Sequence, residues 1–193
     1  LKHPLTQEVA ARSQLRERQA RVHAAVAQAL EEAGGNLDER AAEIAQHWAE
    51  AGESARAARW YRRAAEWAGR SSVREGLQHW RRVRELAPSI EDEGERIDLS
   101  LQACDQILDL AWRMGDTEEE AAAVFEEGRA LAERKGNQQA RAMFIGRYGL
   151  MRASLAGSVS EYVRYGGSPR GAQALVVPTD VAIDVEVSAT TST

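Results

Sequence analysis

Histidines are the side chains in this sequence best suited to binding a metal ion. None has a second histidine one helical turn away, which is the spacing that a metal site on a single helix needs. Glu43 and His47 do share one face of a predicted helix, and such a pair is typical of a surface ion pair. The sequence therefore predicts no metal site and no bound cofactor. The four histidines are His3, His23, His47 and His79.

The one cysteine, Cys104, lies on the apolar stripe of a predicted helix with Leu101 and Leu108. Because no basic residue lies one turn away to lower the pKa of the thiol, we expect Cys104 to pack in the core rather than to act as a nucleophile. Asp105 and Asp109 lie one turn apart on the same helix. No loop is predicted beside them to hold a cation, so we interpret them as a solvated acidic stripe.

Nucleotide hydrolysis would require a glycine-rich loop in which backbone amides and a lysine bind the phosphates. No G-x-x-x-x-G-K-[ST] motif occurs in the chain, and its glycine cluster at 166–171 contains proline and arginine instead. Four arginines with Trp60 and Tyr61 between them could bind phosphates or stack bases. Their spacing on one helix favours a solvated arginine face, and we predict no catalytic residue in this chain. The arginines are Arg56, Arg59, Arg62 and Arg63.

Composition and charge argue against several classes of ligand. The 193 residues carry a net charge of −5, unevenly spread. Residues 1–88 carry 15 Lys and Arg against 12 Asp and Glu, whereas residues 89–165 carry 9 against 15. The acidic balance argues against nucleic acid as the main ligand. No window holds the roughly 18 apolar residues that span a membrane, and no secretion signal is found, so we expect a cytoplasmic protein without membrane contact.

Glycines followed by capping side chains divide the chain into predicted helices. A helix tends to end at a residue that tolerates positive φ, and the next begins where a side chain accepts a hydrogen bond from a free amide. Ser72 with Glu75, and Thr117 with Glu120, each follow a glycine and fit a capping box. Similar pairs are Asn36 with Glu39, after Gly34 and Gly35, and Ser158 with Glu161. Helices are predicted over 5–14, 17–33, 37–51, 54–68, 73–87, 95–114, 117–135, 138–155 and 158–165.

Pairs of these helices repeat a pattern of small and aromatic residues. An aromatic residue is followed nine positions later by a small residue three times along the chain, in a pattern similar to that of tetratricopeptide repeats. We therefore predict an all-α fold, a right-handed solenoid of antiparallel helix pairs that is tetratricopeptide-like, since the repeat exceeds the standard motif of roughly 34 residues. An ordinary helical bundle is the alternative. The three matches are Trp48 with Ala57, Trp67 with Gly76, and Trp112 with Ala121.

The sequence after Gly166 differs in kind from the helical part. Residues 166–171 break the helical pattern, and residues 181–187 alternate apolar and polar side chains as a strand does. Because one strand alone is unstable, we predict an extended or disordered tail, with addition to a partner's sheet edge as the alternative. The chain thus divides into residues 1–35 ahead of the repeats, the repeats at 36–165, and the tail at 166–193.

Several stretches of the sequence resemble parts of a known multidomain family. The residues LKHPLTQEVA, followed by LRER and RVHAAVA, resemble the junction where an AAA-type or STAND-type ATPase passes into helical repeats, which implies that 1–35 are the last helices of an ATPase or winged-helix module with its linker. The segments AARWY, HWRRV and EEEA are similar to the repeat region of the large bacterial signalling proteins that contain class III adenylate or guanylate cyclases. In that family a cyclase domain comes first, the ATPase second and the repeats last. ATP-dependent transcriptional regulators share the ATPase-to-repeat layout.

The resemblance and the repeats together imply a non-catalytic scaffold for protein–protein interaction, the regulatory arm of a cyclase and ATPase signalling protein. A protein or peptide partner would lie in the concave groove, which the first helix of each pair lines. The alternatives are the helical effector region of an ATP-dependent transcriptional regulator, a DNA-binding fragment near residues 1–35, and an enzyme in its own right. The predicted groove residues are Tyr61, Ala65, Gln106, Leu110 and Arg113.

Overall fold

Seven α-helices and one 3₁₀ turn make up the part of the chain that the structure, a computed structural model, describes, residues 4–114 and 117–155. Within these residues there is no strand, and the prediction of an all-α fold is confirmed. The predicted helix at 158–165 and the strand period at 181–187 lie outside them. The helices are α1 (Pro4–Glu32), α2 (Ala41–Glu50), α3 (Ser54–Ala68), α4 (Val73–Leu86), α5 (Glu93–Met114), α6 (Glu118–Arg134) and α7 (Gln138–Leu155), and the 3₁₀ turn, Ala87–Ser89, follows α4.

Helix boundaries follow the predictions closely from α3 onward but differ near the N-terminus. The two helices predicted over 5–14 and 17–33 are wrong, because α1 runs unbroken from Pro4 to Glu32. No glycine or proline separates the two predicted segments, and the residues between them favour helix. Helix α2 begins at Ala41 rather than at residue 37. The reason is that the Asn36 Oδ1 accepts from the backbone amide of Asp38 at 3.3 Å, which stabilises a loop turn and not the helix start.

Side-chain caps open four of the later helices. Ser72, Thr117, Asn137 and Asp92 each accept a hydrogen bond from the backbone amide three residues further on, at 3.3, 3.3, 2.9 and 2.6 Å. The first two confirm the predicted caps of α4 and α6. Each cap satisfies an amide that the first turn of a helix leaves without an intrahelical partner. Short capped loops therefore join helices that pack side by side.

Each helix packs against its neighbours in the chain, and α5 also contacts α3 and α7. The helices α3, α5 and α7 therefore lie in one row. The buried side chains of α2 to α7 form a continuous main core that extends from Ala45 to Phe144. A smaller N-terminal core joins α1 to α2 and α3 through Ala27, Ile44 and Trp48. The two cores are where apolar burial supplies most of the stability.

Small residues let α3 and α4 approach closely. Helix α3 ends at Gly69 as predicted, but the φ of −59° is not the positive value that such a helix end favours. Because Gly69 has no side chain, it leaves space for α4 to approach. A Cβ atom added to Gly76 of α4 would lie 2.9 Å from the Gly69 Cα and 3.3 Å from the Ala65 carbonyl oxygen. The seam between α3 and α4 therefore has no room for another carbon atom.

Replacing Gly76 by alanine should destabilise the protein by about 1–3 kcal/mol, because the backbone of α3 must move to admit the methyl group. Gly146 of α7 is the matched control, since a Cβ atom there would meet nothing within 4 Å. Gly146→Ala should instead stabilise the protein by about 0.5–1 kcal/mol. Urea unfolding followed by circular dichroism measures both changes. A Gly76→Ala variant as stable as the parent would contradict the close packing of this seam.

Candidate functional site

The five predicted groove residues do not lie on one surface. Tyr61 and Ala65 are only 6% and 1% exposed and belong to the main core. Tyr61 stacks on His79 of α4, with ring centroids 5.9 Å apart, because this side of α3 faces α4. Gln106 and Leu110 of α5 are half-buried. The side chain of Arg113 lies outside the described part of the chain, and partner binding at these five positions stays a prediction.

The surface that spans α3, α5 and α7 is polar, and we call it the odd-helix face. Arg59 of α3 pairs with Glu95 of α5, with the Arg59 Nη2 2.8 Å from the Glu95 Oε2. Gln102 of α5 donates to Glu66 of α3 at 3.5 Å. These cross-helix contacts place polar side chains of neighbouring odd helices on one surface. The face consists of Arg59, Arg62, Glu66, Glu95, Gln102, Asp105, Gln106, Asp109 and Arg147.

An arginine from α7 binds the two aspartates of α5. The Arg147 Nε lies 2.7 Å from the Asp105 Oδ1, and the Arg147 Nη1 contacts Asp109. The predicted solvated acidic stripe is corrected here, because α7 places a cation on it. Burial raises the pKa of Asp105 above its ordinary value and outweighs the opposing effect of Arg147. On the seam between α3 and α5, the hydrogen bond from Arg59 holds the pKa of Glu95 below its ordinary value.

A second open surface lies between α2 and α4, and we call it the even-helix groove. It encloses about 690 Å³. The Arg82 guanidinium lies 5.9 Å from the centroid of the Tyr61 ring, and the His79 ring stacks on the same tyrosine. Burial lowers the pKa of His79, with Glu75 opposing, so this ring favours the neutral form. The groove is lined by Ala42, Glu43, Gln46, Tyr61, Gln78, His79, Arg81, Arg82 and Glu85.

Cys104 is buried in the main core, and its predicted packing role is confirmed. Burial raises the pKa of the thiol to about 12, and the Glu127 carboxylate adds to the shift. A thiol with this pKa is almost wholly protonated near neutral pH, whereas the thiolate is the nucleophilic form. The environment of Cys104 therefore opposes nucleophilic chemistry.

The four arginines of α3 are engaged separately within the chain. The guanidinium groups of Arg56 and Arg63 lie over the rings of Trp48 and Trp60, 4.4 and 5.0 Å from the centroids. The other two arginines of the group pair with glutamates of α5 and α3. The guanidinium groups thus do not converge on one position where a phosphate could bind. This arrangement fits the predicted solvated arginine face better than a nucleic-acid site.

Glu31, near the end of α1, binds two tryptophans, a role that the sequence analysis missed. Its Oε1 accepts from the Trp48 Nε1 at 2.5 Å and from the Trp60 Nε1 at 2.7 Å. The carboxylate therefore joins α1 to both α2 and α3. Hydrogen bonds to a charged acceptor are about twice as strong as neutral ones. A buried indole N–H needs a hydrogen-bond acceptor, and this was the only signal in the sequence. It does not reveal which residue supplies the acceptor.

His23 of α1 and His47 of α2 meet across the seam between these helices, and the sequence analysis missed this pair too. Their Nδ1 atoms are 2.8 Å apart, and both side chains are half-buried. The predicted ion pair of Glu43 with His47 is wrong, because Glu43 lies 3.4 Å from Arg40 instead. The two histidines are 24 positions apart in the sequence. Spacing within one helix could not reveal them.

Comparison of the chain with protein-family models, curated proteins and solved structures finds no match. Among the described residues, no three His, Cys, Asp or Glu side chains converge as ligands of one metal ion. No helix in the same part of the chain is long and apolar enough to cross a membrane.

Proposed function

We propose that this chain is a non-catalytic helical repeat scaffold that binds a protein or peptide partner. The observation that supports this most directly is the row of α3, α5 and α7, in which α5 contacts both other helices while each packs against the helix between them. Helical hairpins stacked in series produce this contact pattern. We assign α3 with α4 and α5 with α6 as hairpins of a right-handed, tetratricopeptide-like solenoid.

The odd-helix face is the surface that we assign to the partner. Under the proposed pairing, α3, α5 and α7 are the first helices of their hairpins, which is the position that lines the concave side in tetratricopeptide repeats. Gln102 and Gln106 present amide groups on this face, and an amide can both donate to and accept from a peptide backbone. Tyr61 faces the even-helix groove and is not part of this surface.

The charges of the odd-helix face are already paired within the chain. Arg59 pairs with Glu95, and Arg147 pairs with Asp105 and Asp109. A strongly charged partner would have to break these pairs or remain unpaired itself. We therefore propose an extended, weakly charged peptide that is held chiefly through its backbone and short polar side chains.

The proposal includes a place in a larger cytoplasmic signalling protein. The resemblance of the N-terminal stretch and the repeats to the cyclase family supports a role as the regulatory arm of an attached ATPase and class III cyclase. Helix α1 would then connect the ATPase to the repeats, and the Glu31 contacts with Trp48 and Trp60 would hold it against them. The effector region of an ATP-dependent transcriptional regulator is the alternative, and the coding sequence upstream of Leu1 distinguishes the two.

Selection of ligands from a random-peptide display library, followed by affinity measurements on matched variants, tests the proposed face. The double variant Gln102→Ala and Gln106→Ala removes two amides from the odd-helix face. The control, Gln46→Ala and Gln78→Ala, removes two amides from the even-helix groove. We expect the first variant to weaken peptide binding at least ~10-fold, about 1.4 kcal/mol, and the control to bind as the parent does.

Two results would contradict the proposal. One is that the selected peptides lose affinity only for the even-helix control, which would place the binding surface on the opposite side. The other is that no peptide is enriched over a library of the same size panned against an unrelated helical protein. Unfolding curves of both double variants establish that each is as stable as the parent before its affinity is interpreted.

A further inference from the structure

We propose that the side of α1 that faces away from α2 binds an acidic amphipathic helix of a partner protein. Helix α2 packs on the other side of α1, where Ala27 is fully buried. Exposed residues of α1 lie along one line on the open side, and we call them the α1 stripe. No part of the proposed peptide binding on the odd-helix face depends on it. The α1 stripe consists of Leu15, Arg18, Val22, Ala25 and Ala29.

The spacing of the α1 stripe is that of a helix that pairs with another helix. Its residues follow one another in alternating steps of three and four positions. This alternation keeps them on one face of a helix, and the side chains of a partner helix fit into the spaces between them. Ala25 and Ala29 are small, so the axis of a partner helix can approach α1 closely. The α1 stripe therefore has the form of one half of a two-helix seam.

Two large apolar side chains of the α1 stripe are exposed to solvent. Leu15 and Val22 are 57% and 55% exposed, the highest exposures of any large apolar residue in the described part of the chain. Arg18 lies between them in the stripe and has a long aliphatic stem, which can also be buried by a partner. More than half of Leu15 and of Val22 is thus left for burial in a helix–helix contact, and such burial is favourable.

The charge around the α1 stripe selects an acidic partner. Residues 13–22 contain three arginines, Arg16, Arg18 and Arg21, against one glutamate, Glu17. None of these arginines pairs with another side chain that the structure describes, whereas the arginines of the odd-helix face are paired. Unneutralised cations attract a partner of opposite charge and repel one of the same charge. Two parallel copies of the stripe would bring their Arg18 side chains together, so a second copy of this chain is the poorer occupant.

Binding of two designed helical peptides to the full chain tests the proposal. Both peptides have about three heptads with leucine along the apolar stripe. One carries glutamate at the flanking positions, and the other carries lysine. Fluorescence anisotropy of the labelled peptides gives the Kd of each. We expect the glutamate peptide to bind at least ~10-fold more tightly than the lysine peptide, and its affinity to fall as salt is raised.

Charge reversal on α1 gives a result that loss of folding cannot produce. Arg18→Glu with Arg21→Glu should reverse the preference, so that the lysine peptide becomes the tighter ligand. The matched control is Arg70→Glu with Arg74→Glu, which changes the net charge equally at two exposed arginines elsewhere. The control should keep the preference of the parent for the glutamate peptide.

Removal of the exposed apolar side chains tests the other half of the proposal. Leu15→Ser with Val22→Ser should weaken binding of the glutamate peptide at least ~10-fold. Met143→Ser, at an exposed methionine of α7, should bind it as the parent does. Circular dichroism of each variant establishes that it remains folded.

Four results would overturn the proposal. The first two are a glutamate-peptide preference that survives charge reversal and an affinity that survives Leu15→Ser with Val22→Ser. The third is a dimer of the chain in sedimentation velocity that the serine double variant abolishes while neither peptide binds, which would assign the stripe to a second copy. The fourth is co-sedimentation with phosphatidylserine and phosphatidylcholine vesicles in the absence of peptide binding, which would assign it to a membrane surface.

Discussion

Replacing Phe144 by alanine should destabilise the protein by about 3–5 kcal/mol, which is the usual cost of truncating a buried phenylalanine. Phe144 of α7 is completely buried and is the largest of the fully buried side chains. It packs against Gly128 of α6, where an added Cβ atom would lie 2.5 Å from the Phe144 ring. The aromatic ring and the glycine therefore form one complementary contact between the last two described helices.

A double-mutant cycle measures that contact directly. Gly128→Ala should destabilise the parent by about 1–3 kcal/mol through overpacking. In the presence of Phe144→Leu the same substitution should cost less, because the ring that it meets is gone. Met143→Ala is the control, since Met143 is 37% exposed and next to Phe144 in sequence. Urea unfolding gives the free energy of unfolding of the parent, of Gly128→Ala, of Phe144→Leu and of the double variant. Strictly additive effects of the two substitutions would contradict the packing of Phe144 against Gly128.

Trp48→Ala is expected to cost a similar amount, about 3–5 kcal/mol. The Trp48 side chain is 3% exposed and forms the N-terminal core with Ile44 and Ala57. Its Nε1 donates to Glu31, and the Arg56 guanidinium lies over its ring. The substitution therefore removes apolar burial, a hydrogen bond to a carboxylate and a cation–π contact at once.

Trp67 provides the matched comparison, because it occupies the same position in the predicted repeat. Trp67 is half-buried, and the Arg70 guanidinium lies 4.1 Å from the centroid of its ring. Trp67→Ala should therefore cost only about 1 kcal/mol. Thermal and urea unfolding by far-UV circular dichroism avoid the loss of tryptophan fluorescence. If the two substitutions lowered the free energy of unfolding equally, position in the repeat, and not burial, would set the contribution of each tryptophan to stability.

The Trp48 prediction bears on function as well as on stability. If α1 relays a signal between an attached domain and the repeats, the contacts of Glu31 with Trp48 and Trp60 are the mechanical connection. The hydrogen-bonded pair of His23 and His47 joins the same two helices, α1 and α2. A Trp48→Ala variant should therefore loosen the packing of α1 first. The part of the main core that lies in α4 to α7 keeps its own contacts.

Local physical rules made most of the helix boundaries predictable from the sequence. Ser72 and Thr117 were recognisable as caps because the accepting hydroxyl and the donating amide are three residues apart. Cys104 was recognisable as a core residue because its position on an apolar stripe depends only on helical period. Helix boundaries were predicted wrongly where a helix and a turn compete closely for the same residues. Asn36 caps a loop turn instead of α2, and α1 continues where no strong breaker interrupts it.

The candidate site was only partly predictable, because helical period gives the apolar face of a helix but not which neighbour covers it. Tyr61 was predicted to line the concave groove, yet α4 packs against that side of α3, and Tyr61 lines the even-helix groove instead. Asp105 and Asp109 were predicted to face solvent, yet Arg147 from α7 pairs with both. In each case the residue that decides the outcome belongs to another helix.

The sequence by itself determined that the described chain is all-helical, where most of its helices begin and end, and which side chains are apolar enough to be buried. Only the tertiary structure decided that Glu31 holds two indoles, that His23 meets His47, and that α3, α5 and α7 lie in one row. The physical reason is the separation in sequence over which each kind of interaction acts. Caps, turns and helical period act over three to four residues, whereas these contacts join side chains 17 to 29 positions apart, whose meeting depends on how whole helices pack.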